Sequence, residues 1–266
     1  MGHVRLGTLP HTRSWTDVID LIANGADVPK VAEAVIKASQ SALKFVQNDV
    51  GFREAAHLLM QLGVAATKKD PVAHMASVGV IIPKDASALD IALALKEGLE
   101  RNVNATGRRS EFGQKASDAL VGAVTQHLEG KMPQLFGPNA DDVSAAMASL
   151  RKKSEFGELG REFFARLTHS SMDWFLSRTL ATHLGDNQAF PTMNQMRQFE
   201  DAMKTRCDES SKIVKDFCAD WSSKARHEGG GDISKEEANI FGWVAMKKMR
   251  SEFTIKEKGK GQRHGK

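Results

Sequence analysis

The sequence predicts an all-α protein, a single domain of nine or ten helices with at most a minor two-stranded ribbon. Apolar residues recur at helical spacing from about Trp15 onward, and capping patterns precede several of these stripes. Strand patterns are confined to residues 4–9 and 77–82, which could pair as the ribbon. With 266 residues, 41% of them hydrophobic, the chain can bury a substantial core. We expect the helical domain over residues 14–254 and a basic, disordered tail over 255–266.

The first half of the chain carries regular apolar stripes. One stripe follows Asp27, a plausible N-cap, and Pro29 in the first helical turn. Gly51 interrupts it, and a second helix continues from Phe52. Further helices are expected over residues 87–101, 111–129, 141–150, 155–167 and 172–184. The stretch 131–140 contains proline and glycine and is where a division into two lobes would fall, but no change in composition accompanies it, so one domain is favoured.

The most extended predicted element is a single long helix near residues 193–228. It begins after a capping box formed by Thr192 and Gln195, and neither proline nor glycine occurs within it. At 1.5 Å per residue this helix would be roughly 50 Å long. A last helix opens with a second capping box, Ser234 and Glu237.

Cys207 and Cys218 are the two cysteines of the chain. Eleven residues are close to three helical turns, so on one long helix the two thiols would lie on one face roughly 16 Å apart. A disulfide requires Cα atoms within about 7 Å, so we expect free thiols. Two unpaired cysteines fit a reducing cytoplasm, and we expect a cytoplasmic protein because neither a secretory signal nor a membrane span is evident.

The net charge of +4 is concentrated at the C-terminus. Residues 256–266 contain five Lys or Arg and one Glu, which accounts for the whole excess and leaves the rest of the chain neutral. Such a segment can attract nucleic acid without selecting a sequence. A dedicated DNA-binding domain usually has a basic face, so the neutral body weighs against that class.

A dibasic pair followed by Ser-Glu-Phe-Gly occurs twice, at residues 108–113 and 152–157, with an offset of 44 residues. We expect Ser110 and Ser154 to be helix N-caps, so that each pattern places two cations before a helix N-terminus, where anions are favoured. The candidate anion-binding residues are therefore Arg108, Arg109, Lys152 and Lys153. The offset also fits HEAT and armadillo repeats, and the plainer interpretation is a helix start used twice.

Two further groups of residues are candidates for binding. The last helix carries three cations off its apolar stripe, contiguous with the basic tail, and these could extend a nucleic-acid surface: Lys247, Lys248 and Arg250. Residues 166–185 combine arginines with aromatic residues, a composition typical of interface hot spots, and the candidates for contact with a partner are Arg166, Trp174 and Arg178. Core packing of the aromatic side chain and solvation of the arginines is the alternative.

Catalytic, metal and cofactor motifs are not evident. The histidines are scattered singly, without the spacing of a zinc site, and neither a P-loop nor a Gly-x-Ser-x-Gly elbow occurs. His57 lies in a row with Arg53 and Gln61, off the apolar stripe of its helix, so we expect an exposed histidine. The glycines at residues 229–231 are best explained as a hinge that ends the long helix. We therefore assign no catalytic residue, no metal and no cofactor.

The sequence favours a non-enzymatic helical scaffold that acts with a protein partner and not with a membrane. One alternative is a phosphate- or nucleic-acid-binding protein that uses the dibasic helix starts, the C-terminal helix and the tail. Another is a hydrolase whose site is assembled from dispersed histidines and acidic residues. Residues 136–221 resemble bacterial helical proteins, a resemblance that implies a helical fold and no functional residue.

Overall fold

The computed structural model describes residues 13–24, 26, most of 30–38, 48–132, 139–180, 193–228 and 232–261. Within these residues it has ten helices with defined bounds and no strand, which confirms the all-α prediction. The helices are α1 (Arg13–Ala23), α2 (Val50–Ala65), α3 (Pro71–Ser77), α4 (Ala88–Thr106), α5 (Glu111–Glu129), α6 (Ala140–Ser149), α7 (Lys153–Leu180), α8 (Met193–Ser210), α9 (Lys212–Glu228) and α10 (Lys235–Gly261).

The two-stranded ribbon is not formed by the described residues. Of the two segments, residues 77–82 form the end of α3 and the loop after it, and residues 4–9 lie outside the described residues. The predicted caps Asp27 and Thr192 lie outside them as well. Two helices were expected over residues 155–167 and 172–184, and the described part of this stretch forms one helix, α7, because no proline or glycine separates them. Residues 181–184 lie outside the described residues.

Helix α2 lies at the centre of the molecule. It begins at Asp49, whose carboxylate accepts a hydrogen bond from the backbone N–H of Phe52 at 2.9 Å. From Gly51 to Ala65 every residue except Arg53 is buried. A helix that is buried around its whole circumference is typical of the middle of a core. Helices α3, α4, α5 and α10 all pack against it.

An aromatic cluster joins the first and second halves of the chain. Phe164 on α7 lies 6.5 Å from Phe52 and 6.1 Å from Phe241, measured between ring centroids. Phe241 in turn stacks on Phe217 of α9 at 5.7 Å. Such pairs add to the stabilisation that apolar burial provides. Helices before and after residues 133–138, which lie outside the described residues, therefore share one core, and the molecule is a single domain.

Helices α4, α5 and α7 run antiparallel in succession. Gly107 ends α4 with a φ of 66°, a left-handed conformation that glycine adopts without strain, and the chain returns along α5. Lys96 of α4 forms an ion pair with Asp118 of α5 at 3.2 Å. Glu155, near the start of α7, lies 3.4 Å from His127 at the end of α5. The order of these contacts fixes the antiparallel direction.

The long helix expected near residues 193–228 is divided at Ser211. Helix α8 ends at Ser210. The backbone carbonyl of Ser211 then accepts hydrogen bonds from the backbone N–H groups of Val214 and Lys215 at 2.9 and 3.2 Å, and these are the first hydrogen bonds of α9. The Ser211 hydroxyl donates to the carbonyl of Asp208 at 2.6 Å. Adjacent serines compete with the backbone for hydrogen bonds and commonly interrupt helices.

The two cysteines lie on different sides of this break, so the prediction that they share one continuous helix was wrong. Cys207 on α8 and Cys218 on α9 are nevertheless free and buried. The thiol of Cys207 contacts the sulfur of Met172 at 3.9 Å, and Cys218 packs against Gly160 of α7. Both side chains are therefore part of the packing of α8 and α9 on α7.

The repeated Ser-Glu-Phe-Gly pattern has a packing explanation. Phe112 and Phe156 are both buried in the core. A Cβ on Gly113 would lie 3.0 Å from the Cα of Gly51, and a Cβ on Gly157 would lie 2.7 Å from the carbonyl oxygen of Lys215. In each copy the Phe fills the core and the Gly lets another helix approach closely. The repeat therefore agrees with the plainer interpretation, a helix start used twice.

The serines of the two copies differ. Ser110 is the N-cap of α5, as predicted, and accepts the backbone N–H of Gly113 at 2.8 Å. Helix α7 already begins at Lys153, where the carbonyl of Lys152 accepts the first helical hydrogen bonds. Ser154 is therefore inside the helix, and the prediction that it is an N-cap is wrong.

The last helix begins as predicted and ends later. Ser234 and Glu237 form the capping box, with both reciprocal hydrogen bonds present at 2.8 and 3.2 Å. Helix α10 extends to Gly261, so the tail expected over residues 255–266 begins within it. Lysine and glutamate, which alternate near residue 257, are good helix formers, and this explains why the helix continues past residue 254. Residues 262–266 lie outside the described residues.

Candidate functional site

The two dibasic helix starts lie at opposite ends of an antiparallel pair and cannot form one site. Glu155, at the start of α7, contacts Lys131 just beyond the end of α5 at 3.0 Å. Arg108 and Arg109 precede the start of α5, and the 19 residues of that helix span about 28 Å. Lys152 and Lys153 are exposed, and Lys153 pairs with Asp220 at 3.5 Å.

An internal carboxylate already occupies the first helix start. The hydroxyl of Ser110 donates to the carboxylate of Asp49, which also caps α2. Two helix N-termini thus share one anion, as their dipoles favour. Arg109, which is exposed, donates through Nε to the side chain of Asn104. A phosphate at this position would have to compete with Asp49.

The three cations near the C-terminus extend from different sides of α10. The ammonium of Lys247 lies 5.3 Å from the centroid of the Trp243 ring on the outer side of the helix. The ammonium of Lys248 lies 5.4 Å from the Phe217 ring on α9, towards the core. Burial lowers the pKa of Arg250. Lys247 thus points outward and Lys248 towards α9.

The outer side of α10 carries an apolar surface that the sequence analysis missed. Ile240 is 51% exposed and Trp243 is 43% exposed. Glu236 and Lys247, both exposed, flank them in line, and we call these four residues the α10 stripe. Their spacings of four, three and four residues are those of a coiled-coil seam. That spacing is visible in the sequence but lies opposite the stripe that faces the core.

The inner side of α10 is packed, so the α10 stripe has no role in holding the helix in place. A Cβ on Gly242 would lie 3.0 Å from the Cβ of Ala56 on α2. Phe241, Ala245 and Met249 are completely buried on the same side. The exposed and buried residues therefore occupy opposite faces of one helix.

The predicted partner-contact residues separate in the structure. Trp174 is half-buried and packs against the core, which agrees with the alternative that the aromatic side chain has a packing role. The side chain of Arg178 lies outside the described residues. Arg166 donates through Nε to Glu162 at 2.7 Å and through its terminal nitrogen to Gln126 on α5. It lines a groove between α5, α7 and α8.

This α5–α7–α8 groove has a volume of about 540 Å³ and a strongly charged lining. Arg161 and Arg166 are each paired with a glutamate of their own helix. Among the described residues, neither Lys115 on α5 nor Lys204 on α8 has a partner in an ion pair. Burial lowers the pKa of Lys115, although nearby carboxylates oppose the shift.

His169 also lines the α5–α7–α8 groove. Its ring makes one hydrogen bond to the backbone of Glu200, and its buried Nε2 has no hydrogen-bond partner. Burial lowers the pKa of His169. The carboxylate of Asp208 lines the groove beside it.

A buried polar network surrounds Glu54 on α2, and it overturns the expectation that His57 is exposed. His57 is 6% exposed, with Nδ1 3.7 Å from Glu54 and Nε2 3.2 Å from the side-chain nitrogen of Gln61. Gln61 also donates to the carbonyl of Ile233 at 2.9 Å and contacts His74 at 2.8 Å. Helices on all sides bury α2, so its polar row faces other elements instead of solvent.

The charge at the centre of this network is fully compensated. Burial alone would raise the pKa of Glu54, but the nearby His57 and the hydrogen bonds from Asn102 and Lys235 outweigh it and lower the pKa to about 2. Asn102 and Lys235 donate to the two carboxylate oxygens at 2.6 and 3.1 Å. Burial and the nearby Lys68 lower the pKa of His74.

The geometry of the network favours a structural role. The chain Glu54, His57, Gln61 and His74 contains no hydroxyl or thiol nucleophile, and the acceptor nitrogen of His57 already faces the amide of Gln61. Among the described residues, no three His, Cys, Asp or Glu side chains are grouped so that they could hold a metal ion.

None of the described helices combines the length and apolarity that crossing a membrane requires. No family model, curated protein or solved structure matches this chain.

Proposed function

We propose that this chain is a non-enzymatic helical scaffold that binds a protein partner through the α10 stripe. The observation that carries the proposal is the exposure of Ile240 and Trp243 next to each other on one helical face. Tryptophan is enriched at interface hot spots, where burying it excludes water from a large apolar ring. An exposed apolar pair between charged residues is typical of a contact surface.

The rest of the molecule holds α10 rigidly in place beneath the α10 stripe. Phe241 and Gly242 anchor α10 against α9 and α2, so the stripe is presented on a packed helix rather than on a loop. The capping box at Ser234 fixes the start of the helix. A pre-ordered helix loses little conformational entropy when a partner packs on it.

The proposal is tested by the size of the complex in extracts of cells that express the full chain and are treated with a chemical crosslinker before lysis, so that a weak complex survives dilution. We expect wild type to elute well above its monomer mass of 29.1 kDa, and Ile240→Ser with Trp243→Ser to elute as a monomer. The matched control is Ile81→Ser with Leu89→Ser, which removes two exposed apolar residues from other surfaces. An unchanged complex in the α10 variant, or an equal loss in the control, would contradict the proposal.

A second candidate function, binding of a small anion, is favoured by the α5–α7–α8 groove. Lys115 and Lys204 supply cationic charge that no described carboxylate neutralises in an ion pair. Asp208 supplies a carboxylate that can accept from hydroxyl or amine donors. The volume lies within the usual range for small-molecule sites. The matching ligand is a phosphate or carboxylate on a hydroxylated body.

Isothermal titration with glucose 6-phosphate, inorganic phosphate and glucose tests this second function. We expect glucose 6-phosphate to bind more tightly than inorganic phosphate or glucose alone. The double variant Lys115→Ala with Lys204→Ala should weaken the affinity for glucose 6-phosphate by about tenfold or more, the ratio that corresponds to about 1.4 kcal/mol. Lys69→Ala with Lys84→Ala, two exposed lysines outside the groove, is the control. Equal affinity of wild type, the groove variant and the control would show that any binding is non-specific charge attraction and would contradict this second function.

A further inference from the structure

We infer that the partner of the α10 stripe is a second copy of this chain, packed antiparallel on the same stripe about a two-fold axis. This inference rests on the proposed function and names its partner. The axis passes between positions 241 and 242 of α10. Ile240 then faces Trp243 of the second copy, and Glu236 faces Lys247 of the second copy.

The order of residues in the α10 stripe is what selects this arrangement. The stripe reads acidic, apolar, apolar and basic at Glu236, Ile240, Trp243 and Lys247, so reversing the direction of one helix pairs every residue with its complement. In antiparallel coiled coils each layer joins the two different seam positions of the heptad, and the spacing of four, three and four residues gives such layers. A two-fold axis uses the same surface on both chains, as most homodimers do.

A parallel arrangement of the same two stripes is disfavoured by charge. It would place Glu236 beside Glu236 of the second copy and Lys247 beside Lys247 of the second copy, and like charges in one layer repel. The antiparallel form instead places two ion pairs at the rim of an apolar centre. The ammonium of Lys247 lies over its own Trp243 ring, so it already points along the proposed interface.

The size of the stripe predicts a weak dimer. Residues 236–247 extend over about three helical turns, which is less than a standard interface of about 1,600 Å² requires. We therefore expect dimerisation at high micromolar concentration, with the monomer predominant in dilute solution.

Charge reversal across the proposed axis gives a direct test by sedimentation velocity over a concentration series of the full chain. We expect Glu236→Lys and Lys247→Glu each to weaken self-association by at least about tenfold, because each places two like-charged pairs in the interface. The double variant, Glu236→Lys with Lys247→Glu, restores both pairs with reversed sign and should associate like wild type. An equimolar mixture of the two single variants should form a mixed dimer, in which all pairs are complementary.

The control is Glu97→Lys, the same charge change at an exposed ion pair of α4 with Arg101. It should leave self-association unchanged, and circular dichroism should show all variants equally folded. A wild type that stays monomeric at every concentration, or single variants that associate as wild type does, would overturn the second-copy inference. So would a double variant that is not restored. If the sedimentation test fails but the complex in cell extracts still depends on Trp243, the proposed function stands and the partner is a different protein. If both experiments fail, the stripe is not a binding surface.

Discussion

At the scale of single residues, close helix crossings depend on glycines whose substitution the surrounding backbone cannot accommodate. The N-terminal turns of α2 and α5 touch through Gly51 and Gly113. Both glycines are buried, and Asp49 and Ser110 bind each other beside them. The same few atoms therefore join two helix starts and fix the angle between them.

Gly51→Ala should destabilise the protein by about 1–3 kcal/mol, the usual cost of overpacking a core. The added Cβ would lie 2.5 Å from the Cα of Gly113, and a backbone atom cannot move aside as a side-chain tip can. Urea denaturation measures the effect. The control is Gly130→Ala, where a Cβ meets nothing within 4 Å and should be neutral or slightly stabilising. Equal stability of the two variants would show that the crossing is looser than described.

Glu54 makes stability depend on pH in an acidic window. Its pKa falls from an ordinary 4.5 to about 2 because hydrogen bonds from its neighbours outweigh burial. A depressed pKa stabilises the folded state above pH 4.5, and this stabilisation is lost as the pH falls towards 2. Relative to Glu54→Gln, wild type should be more stable by about 3 kcal/mol at pH 7, since each pKa unit corresponds to about 1.36 kcal/mol. Denaturation curves from pH 7 to pH 2 should show the difference disappear. A difference that stays constant over this range would contradict the assignment.

At the scale of helices, the sequence predicted which segments are helical better than where each helix begins and ends. Periodicity placed the helical stretch around residues 193–228 correctly. The break at Ser211 depends on competition between hydroxyl and backbone hydrogen bonds, which a periodic pattern does not show. Helix α7 shows the opposite case, because two expected helices are continuous.

The two serines of the repeated pattern should respond differently to substitution. Ser110→Ala removes an N-cap and the hydrogen bond to Asp49, so we expect a loss of about 1–2 kcal/mol. Ser154 is exposed in the first turn of α7 and caps nothing, so Ser154→Ala should change stability by less than about 0.5 kcal/mol. Thermal unfolding of the two variants is the measurement. A similar loss in both would restore Ser154 as a cap.

The candidate site shows why function was harder to predict than fold. His57 lies off the apolar stripe of its own helix, and periodicity within one helix therefore predicted exposure. Its burial depends on Ile233 and Lys235, which approach Glu54 and Gln61 from far along the chain. Only the tertiary arrangement of α2 and α10 reveals that contact. The spacing of Ile240 and Trp243, by contrast, was available from the sequence alone.

At the scale of the whole molecule, charge and apolar exposure are located in different places. Residues 256–266 carry five basic residues and one acidic residue, equal to the whole net charge. Deleting them should abolish most retention of the protein on immobilised duplex DNA, and retention by wild type should fall steeply with salt because bound counterions are released. Equal retention of the truncated chain would place a basic surface on the body of the protein.

Photo-crosslinking in living cells shows whether the α10 stripe is in contact with protein. Ile240 is replaced by p-benzoylphenylalanine in the full chain, with Glu97, exposed on α4, replaced in the same way as the control. After irradiation, we expect a covalent adduct with a protein from position 240 and none from position 97. An adduct of twice the chain mass would identify the second copy. Absence of any adduct from position 240, or equal adducts from both positions, would show that the α10 stripe is not a protein-binding surface.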